Sequence, residues 1–245
     1  MRAFENAGIQ PDIIVGTSVG AIVGSLWASG MQAKAVEAVS GELGMNVFFD
    51  WSATVRGIAG GSFKGLVSGI EIENFVIRHV AVKNLEDLPT RFAVVTADLN
   101  SGEPIRVNGG SLAKAVRASA GVPVAMIPVE VVIRGHKREL VDGGLVEPIP
   151  VKTARQMGAD IVVVVDVGYR PSEAHIRNPL DVSFQSLQIA INALRSEQLL
   201  SADLVIAPQI REQDVSRENA NKLILEGERA ANEVIGILLT KLKAK

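Results

Sequence analysis

The segment Ile13-Ile-Val-Gly-Thr-Ser-Val-Gly-Ala21 decides the fold, because it leads from a hydrophobic strand through a glycine-flanked serine directly into a helix. Ile13 to Val15 has the composition of a short buried strand, and Gly16 to Gly20 that of a tight turn. Small apolar residues follow from Ala21 to Gly30, where a glycine caps the predicted helix. A Gly-x-Ser-x-Gly turn between a strand and a helix is typical of the nucleophile elbow of serine hydrolases.

Such a turn predicts that the Ser18 hydroxyl projects at the N-terminus of the following helix. The helix dipole and the free N–H groups there, beginning with Val19, stabilise negative charge on a nearby oxygen. We expect glycine at positions 16 and 20 because side chains at Gly16 or Gly20 would collide with neighbouring backbone. Turns of this composition also bind phosphate, so a phosphate- or nucleotide-binding protein is an alternative, although no Gly-x-x-x-x-Gly-Lys or Gly-x-Gly-x-x-Gly pattern accompanies it.

Strand and helix patterns alternate along the rest of the chain. Further strands are predicted at Phe92 to Ala97, Val129 to Ile133, Glu139 to Val141, Ile161 to Val167 and Leu204 to Ala207. Met1 to Gly8 has the pattern of a helix end, and further helices are predicted at Ala33 to Leu43, Ile70 to His79, Leu112 to Ser119, Val151 to Met157, Gln185 to Leu200 and Glu218 to Lys243. This alternation predicts one three-layer α/β/α domain over residues 1–245, with a mainly parallel central sheet.

Composition excludes several classes of protein. The chain has 245 residues, of which 25 are basic and 27 acidic, so its charge gives no reason to expect nucleic acid as a partner. It contains no cysteine, which excludes disulfides, a thiolate nucleophile and cysteine-based metal sites and favours a cytoplasmic location. The longest aliphatic run, Ile161 to Val165, is far shorter than the roughly 20 residues of a membrane-spanning helix. We predict neither a metal nor a cofactor.

A serine nucleophile needs a base, and the three histidines are weak candidates for it. Each lies among polar or charged residues without an evident partner, which is typical of solvated surface histidines: His79, His136 and His175. A Ser-Asp-His triad nevertheless stays open as an alternative to a base that is a carboxylate.

Three aspartates lie at the C-terminal ends of predicted strands, the edge where open α/β sheets bind their ligands, and Asp142 is the best placed of them. It precedes Gly143-Gly144, which allows the backbone to turn sharply and another segment to approach closely. Partial desolvation raises the pKa of an aspartate and makes it a better general base for a serine hydroxyl. Asp-Gly is also a common turn dipeptide, which is the alternative interpretation. We expect Asp98 and Asp166 to serve turns and helix caps.

Three motifs together resemble the patatin-like phospholipase family, in particular bacterial members related to neurotoxic esterase and the RssA-type proteins. They are the elbow Gly16-Thr-Ser-Val-Gly20, the stretch Ala118-Ser-Ala-Gly-Val-Pro123, and Val141-Asp-Gly-Gly-Leu-Val146. The resemblance covers nearly all of residues 3–169. It implies that Ser18 is the nucleophile and Asp142 the base of a Ser-Asp dyad, with no catalytic histidine and no metal. It further implies that the substrate is an ester of a lipid or lysolipid and that any membrane contact is peripheral, while the oligomeric state stays open.

The sequence also departs from that family's pattern. Family members open with a strand and a glycine-rich loop that donates N–H groups to the oxyanion, whereas this sequence starts within the helix that follows. We therefore expect the first strand and part of the oxyanion hole to be missing. Gly60-Gly-Ser-Phe-Lys-Gly65 is the nearest substitute in composition, but it follows no strand. Losing one oxyanion donor costs on the order of 10²- to 10³-fold in rate, so a catalytically impaired regulatory or adaptor protein is the alternative function.

The segment from Met45 to Gly69 is rich in glycine, serine and aromatic residues and has no clear period. We interpret it as a covering segment. It is a candidate cover for an acyl chain, and packing in the core is an equally good interpretation.

Overall fold

The computed structural model describes residues 1–42, 65, 67–133, 135–168, 176–210 and 218–244. Its strands are β1 (Ile13–Gly16), β2 (Arg91–Asp98), β3 (Pro104–Val107), β4 (Val129–Ile133), β5 (His136–Asp142), β6 (Val163–Val165) and β7 (Leu204–Ile206). Its helices are α1 (Arg2–Asn6), α2 (Val19–Ala28), α3 (Ala33–Ser40), α4 (Ile70–His79), α5 (Leu112–Ser119), α6 (Val151–Gln156), α7 (Pro179–Leu199) and α8 (Ala220–Lys243). The predicted alternation of strands and helices is confirmed.

Two element ends show how local chemistry sets the boundaries. The chain leaves α1 through Gly8, whose φ of +65° suits glycine, as the sequence predicts. Helix α7 begins earlier than predicted, because Pro179 opens it and the Asn178 side chain accepts the Asp181 N–H at 3.0 Å. Strand β3 was not predicted, since a half-exposed four-residue strand with a proline has no clear hydrophobic period.

The central sheet is mixed. Its strand order is β1-β2-β5-β4, with β3 also paired to β2, while β6 and β7 form a separate parallel pair. Strand β1 runs parallel to β2, but β3 and β5 run antiparallel to β2, and β4 is antiparallel to β5. The three-layer α/β class is confirmed, whereas parallel pairing among the described residues is limited to β1-β2, β6-β7 and one isolated bridge between Val67 and Met126. Only two residues separate the end of β4 from the start of β5, and so short a connection can only join antiparallel strands.

Helices cover the sheet on both faces because adjacent residues of a strand point to opposite sides. On one face, Ile14 lies against a core built from α2, α4 and α5 on β2, with buried residues such as Ile22, Leu26, Phe75, Val94 and Val116. On the other face, Val15 packs with α6 and β6 through buried residues that include Val151, Ala154, Val162 and Val164. Helices α1 and α8 enclose β7 in a further cluster.

Helix α2 lies deep in the first of these layers. Its small residues permit this, since a Cβ at Gly24 would lie 3.0 Å from the Phe92 ring. A helix buried in this way holds its N-terminus, and the turn before it, in a fixed position against the sheet. Within the described part of the chain, no helix is both long enough and apolar enough to cross a bilayer.

Candidate active site

Ser18 occupies a strained turn between β1 and α2. Its φ of 56° and ψ of −125° lie outside the regions that a non-glycine residue normally adopts, at a cost on the order of 1–3 kcal/mol. A Cβ at Gly16 would lie 2.5 Å from Ala21 Cα, so only glycine fits there. The parallel expectation for Gly20 is wrong, because a Cβ at Gly20 would meet no atom within 4 Å. Gly20 lies in the exposed first turn of α2 and faces away from the crowded side of the elbow.

The sheet brings Ser18 and Asp142 together although 124 residues separate them. On β2, Val94 is the partner of Gly16 in β1, and Thr96 is the partner of Asp142 in β5. Because β3 pairs with both Val94 and Thr96, β1 and β5 share the opposite edge of β2, and their C-terminal ends meet there. Over this edge the Ser18 Oγ donates to Asp142 Oδ2 at 2.7 Å.

Asp142 is buried, with 7% of the residue exposed. Burial raises its pKa from 3.8 to about 6, while the hydrogen bonds from the Gly144 N–H and the Ser18 hydroxyl lower the pKa in part. The Gly144 N–H donates to Asp142 Oδ1 at 2.7 Å and so orients the carboxylate toward Ser18. A carboxylate with this pKa is mostly charged at pH 7 and is more basic than a solvated aspartate.

The two glycines after Asp142 differ in what they allow. A Cβ at Gly143 would overlap the Val95 carbonyl, so Gly143 permits the close backbone approach that the sequence predicts. A Cβ at Gly144 would lie 3.0 Å from the Asp142 Oδ1, which accepts the N–H of Gly144. Gly143 therefore allows the turn to pack against β2, and Gly144 avoids a close contact with the Asp142 carboxylate.

The first turn of α2 offers hydrogen-bond donors beside Ser18. The Gly20 N–H donates to the Thr17 carbonyl at 2.9 Å. The Val19 N–H begins the helix, and the described residues provide it with no acceptor. It lies next to Ser18 at the positive end of the helix dipole, a position that favours negative charge on a nearby oxygen.

Sequence reasoning assigned no role to Ser119, which lies at the end of α5 and is completely buried. The Ser18 N–H donates to Ser119 Oγ at 3.1 Å, and Ser119 Oγ donates to the Val95 carbonyl at 2.6 Å. The stretch Ala118-Ser-Ala-Gly-Val-Pro123, which carries part of the family resemblance, was the available signal.

A second buried network joins the elbow to the segment after Asp142. The Thr17 hydroxyl donates to the Glu147 carbonyl at 2.9 Å. The Glu147 carboxylate accepts from the Thr153 N–H at 2.8 Å and from the Thr153 hydroxyl at 2.7 Å, at the start of α6. Nothing in the sequence pattern indicated that Glu147 is buried, because its hydrogen-bond partners come from two other elements.

The described histidines lie apart from this site. His79 is on α4, where its Nε2 lies 3.0 Å from a Glu42 carboxylate oxygen and its ring contacts Phe75. His136 is exposed at the start of β5, and neither histidine is hydrogen-bonded to Ser18 or Asp142. His175 lies outside the described residues.

The turn roles predicted for Asp98 and Asp166 are confirmed. Asp98 accepts the Asn100 N–H at 3.2 Å, and Asp166 accepts the Gly168 N–H at 3.1 Å. Each carboxylate is also paired with an arginine that the sequence did not indicate, Arg138 for Asp98 and Arg195 for Asp166. The hydrogen bond from Arg138 lowers the pKa of Asp98, so this carboxylate is committed to an ion pair.

The covering segment and the loop beginning at Gly60 lie almost wholly outside the described residues, which here include only Gly65 and residues 67–69. In the part of the chain that the structure describes, no group of three or more potential metal-ligating side chains occurs. The described site thus consists of a serine on a strained elbow, a buried aspartate and the N-terminus of α2.

This arrangement defines the chain as an α/β protein with a nucleophile-elbow serine bonded to an aspartate. Comparison with known proteins is consistent with it, since the family model for patatin-like phospholipases matches residues 1–155. The chain belongs to the patatin-like phospholipase family.

Individual relatives match over about two thirds of the chain. Patatin-like phospholipase domain-containing protein 7 of Mus musculus is 30% identical over 177 residues, covering 69% of this chain and 12% of that protein. Patatin-like phospholipase domain-containing protein 6 of Homo sapiens is 28% identical over 170 residues, which again cover 69% of this chain and 12% of that protein. An NTE family protein of Mycobacterium bovis is 29% identical over 174 residues, covering 68% of this chain and 44% of its own. The matched region is therefore less than half the length of these relatives.

A comparison with solved structures aligns the chain with VipD from Legionella pneumophila. It is 14% identical, with a TM-score of 0.46, and the match covers 96% of this chain and 63% of that chain.

Proposed function

We propose that the protein is a serine acyl hydrolase that cleaves carboxylic esters of lipids or lysolipids through a Ser18-Asp142 dyad. The observation that carries the proposal is the 2.7 Å hydrogen bond from Ser18 Oγ to the buried Asp142 carboxylate. Membership of the patatin-like phospholipase family supports a lipid ester as the substrate.

In the proposed reaction, Asp142 accepts the proton of Ser18 as the hydroxyl oxygen attacks the ester carbonyl. The negative charge that develops on the carbonyl oxygen is stabilised by the Val19 N–H and the N-terminus of α2. The tetrahedral intermediate then expels the alcohol part of the lipid, which takes the proton from Asp142, and an acyl-enzyme remains. Asp142 next deprotonates a water molecule, which attacks the acyl-enzyme. The bond to the Ser18 oxygen then breaks, Ser18 takes the proton back from Asp142, and the fatty acid is released.

The environment of Asp142 suits this use. A general base works best when its pKa lies close to the pH of the reaction, and burial moves the pKa of Asp142 to about 6. The Gly144 N–H holds one carboxylate oxygen, which leaves the other oxygen for the Ser18 hydroxyl.

We further propose that the chain works as a single domain in the cytoplasm, where it contacts membrane lipids peripherally. The absence of cysteine is compatible with a reducing compartment.

The test uses p-nitrophenyl esters of increasing chain length and labelling by a fluorophosphonate probe. We expect Ser18→Ala to lower kcat by at least about 10³-fold and to abolish labelling, because the attacking oxygen is lost. Ser25→Ala is the matched control, since Ser25 lies in the helix that follows the elbow and its hydroxyl donates only within α2, to the Ile22 carbonyl at 2.7 Å. We expect His175→Ala to leave hydrolysis unchanged.

Three results would count against the proposal. Full activity in Ser18→Ala would place the chemistry elsewhere, and a large loss in His175→Ala would replace the dyad by a triad. A folded protein that shows neither hydrolysis nor labelling of Ser18 would instead be the catalytically impaired regulator.

A further inference from the structure

We propose that Ser119 is a positioning residue whose buried hydroxyl holds Ser18 in the strained backbone conformation that the nucleophile requires. This inference rests on the proposed serine hydrolase activity. It concerns a side chain that does not contact the reacting oxygen.

The hydrogen-bond directions around Ser119 are determined. A serine hydroxyl has one hydrogen to donate, and at Ser119 it goes to the Val95 carbonyl at 2.6 Å. The oxygen is therefore left to accept, and it accepts the Ser18 N–H at 3.1 Å. Ser119 thus connects the nucleophile's own backbone to β2, the strand with which both β1 and β5 pair.

The position of this link explains why it matters. Ser18 has a positive φ, and such strain persists only when the surrounding structure enforces it. Glycine at position 16 avoids a steric clash with the backbone of α2, but it makes no contact that would hold the turn in its strained conformation. The hydrogen bond to Ser119 is a directed contact on the Ser18 peptide itself, so it constrains the direction in which Cβ and Oγ leave the backbone.

The same segment also holds the proposed base. The Asp142 N–H donates to the Gly121 carbonyl at 3.0 Å, two residues beyond Ser119. The segment from Ser119 to Gly121 therefore contacts the backbone of both members of the dyad. A shift of this segment would change the separation of Ser18 Oγ and the Asp142 carboxylate, on which proton transfer depends.

Ser119 is completely buried, so water cannot easily replace its hydroxyl. In Ser119→Ala the Ser18 N–H and the Val95 carbonyl both lose a partner, and the elbow loses its enforced geometry. Because a misplacement of about 1 Å can cost 10²-fold in rate, we expect kcat to fall by roughly 10- to 100-fold. KM should change by less than about 2-fold, since Ser119 lies beneath the elbow and contacts no substrate.

The experiment compares Ser119→Ala with Ser25→Ala. Both serines are completely buried, lie in helices and donate to a backbone carbonyl, but Ser25 bonds only within its own helix. We expect only Ser119→Ala to lower kcat and the rate of fluorophosphonate labelling, by the same factor. Ser119→Thr keeps the hydroxyl and should recover most of the loss. Equal kcat in the two alanine variants would overturn the inference.

A measurement that does not depend on turnover completes the test. Hydrogen exchange of the Ser18 amide, followed by NMR, should accelerate at least about 10-fold in Ser119→Ala and not in Ser25→Ala. Unchanged exchange in Ser119→Ala would overturn the inference. This result does not depend on Ser119→Thr, so the test remains decisive even where the extra methyl group of threonine prevents folding. If the unmodified protein reacts with no ester or fluorophosphonate, the proposed hydrolase fails, while accelerated exchange still supports the hold of Ser119 on Ser18.

Discussion

Replacing Asp142 by asparagine should stabilise the protein at neutral pH while it removes the proposed base. The asparagine is nearly the same size, and its side-chain oxygen can still accept the Gly144 N–H. The substitution removes a carboxylate whose negative charge is poorly solvated because the side chain is buried.

The magnitude follows from the pKa of Asp142, which is 3.8 for an ordinary aspartate and about 6 in the folded protein. Between these two values the folded protein holds a proton that the unfolded chain has lost, so the free energy of unfolding falls as the pH rises. The stability contributed by this group is complete below about pH 4 and is lost above about pH 6. A pKa difference of about two units between the folded and unfolded states corresponds to about 3 kcal/mol.

The assay is urea unfolding at pH 4 and at pH 7.5. The free energy of unfolding of Asp142→Asn relative to the unmodified protein should increase by about 2.4 kcal/mol between these two pH values, most of the full difference, since pH 4 lies just above the ordinary aspartate pKa. Asp98→Asn is the matched control, because the hydrogen bond from Arg138 lowers the pKa of Asp98, which is then charged in both the folded and the unfolded chain over most of this range, so the relative stability of that variant should stay nearly constant. A relative stability of Asp142→Asn that stays constant or falls over this range would refute the reasoning.

Three further predictions concern the same site. The value of kcat/KM should rise tenfold per pH unit below a single midpoint near pH 6, because Asp142 must lose its proton to act as a base; a midpoint near pH 4 would contradict this. Gly16→Ala should lower the free energy of unfolding by more than about 2 kcal/mol through overlap with neighbouring backbone, whereas Gly20→Ala should leave it equal or higher; equal losses in urea unfolding would show that the elbow is not crowded. Thr17→Val should cost about 1 kcal/mol in the same assay, because its hydroxyl no longer reaches the Glu147 carbonyl, and no loss would make that bond irrelevant to stability.

Local chemistry made several features predictable. The order of a strand, a Gly-x-Ser-x-Gly turn and an apolar helix is written in adjacent residues, so the elbow was predictable. Asp142 was predictable as a candidate because two glycines follow it, and one of them does permit the backbone approach to β2. The expectation at Gly20 was wrong because the motif does not show which of its two glycines faces the crowded side of the turn.

Features that depend on distant partners were not predictable. The burial of Glu147 and the arginine partners of Asp98 and Asp166 arise from packing between elements far apart in the chain. The mixed direction of the sheet depends on how β3 and β5 come to lie on either side of β2, which no single segment reveals.

The sequence by itself determined the family, the α/β class and the residue types available for chemistry, because these depend on motifs of a few neighbouring residues. Only the tertiary structure decided that Ser18 and Asp142 meet at 2.7 Å, that burial raises the pKa of Asp142 to about 6, and that Ser119 bonds the Ser18 N–H. The physical reason is that hydrogen-bond distance and desolvation are properties of a packed interior, where β2 aligns segments that are more than 100 residues apart.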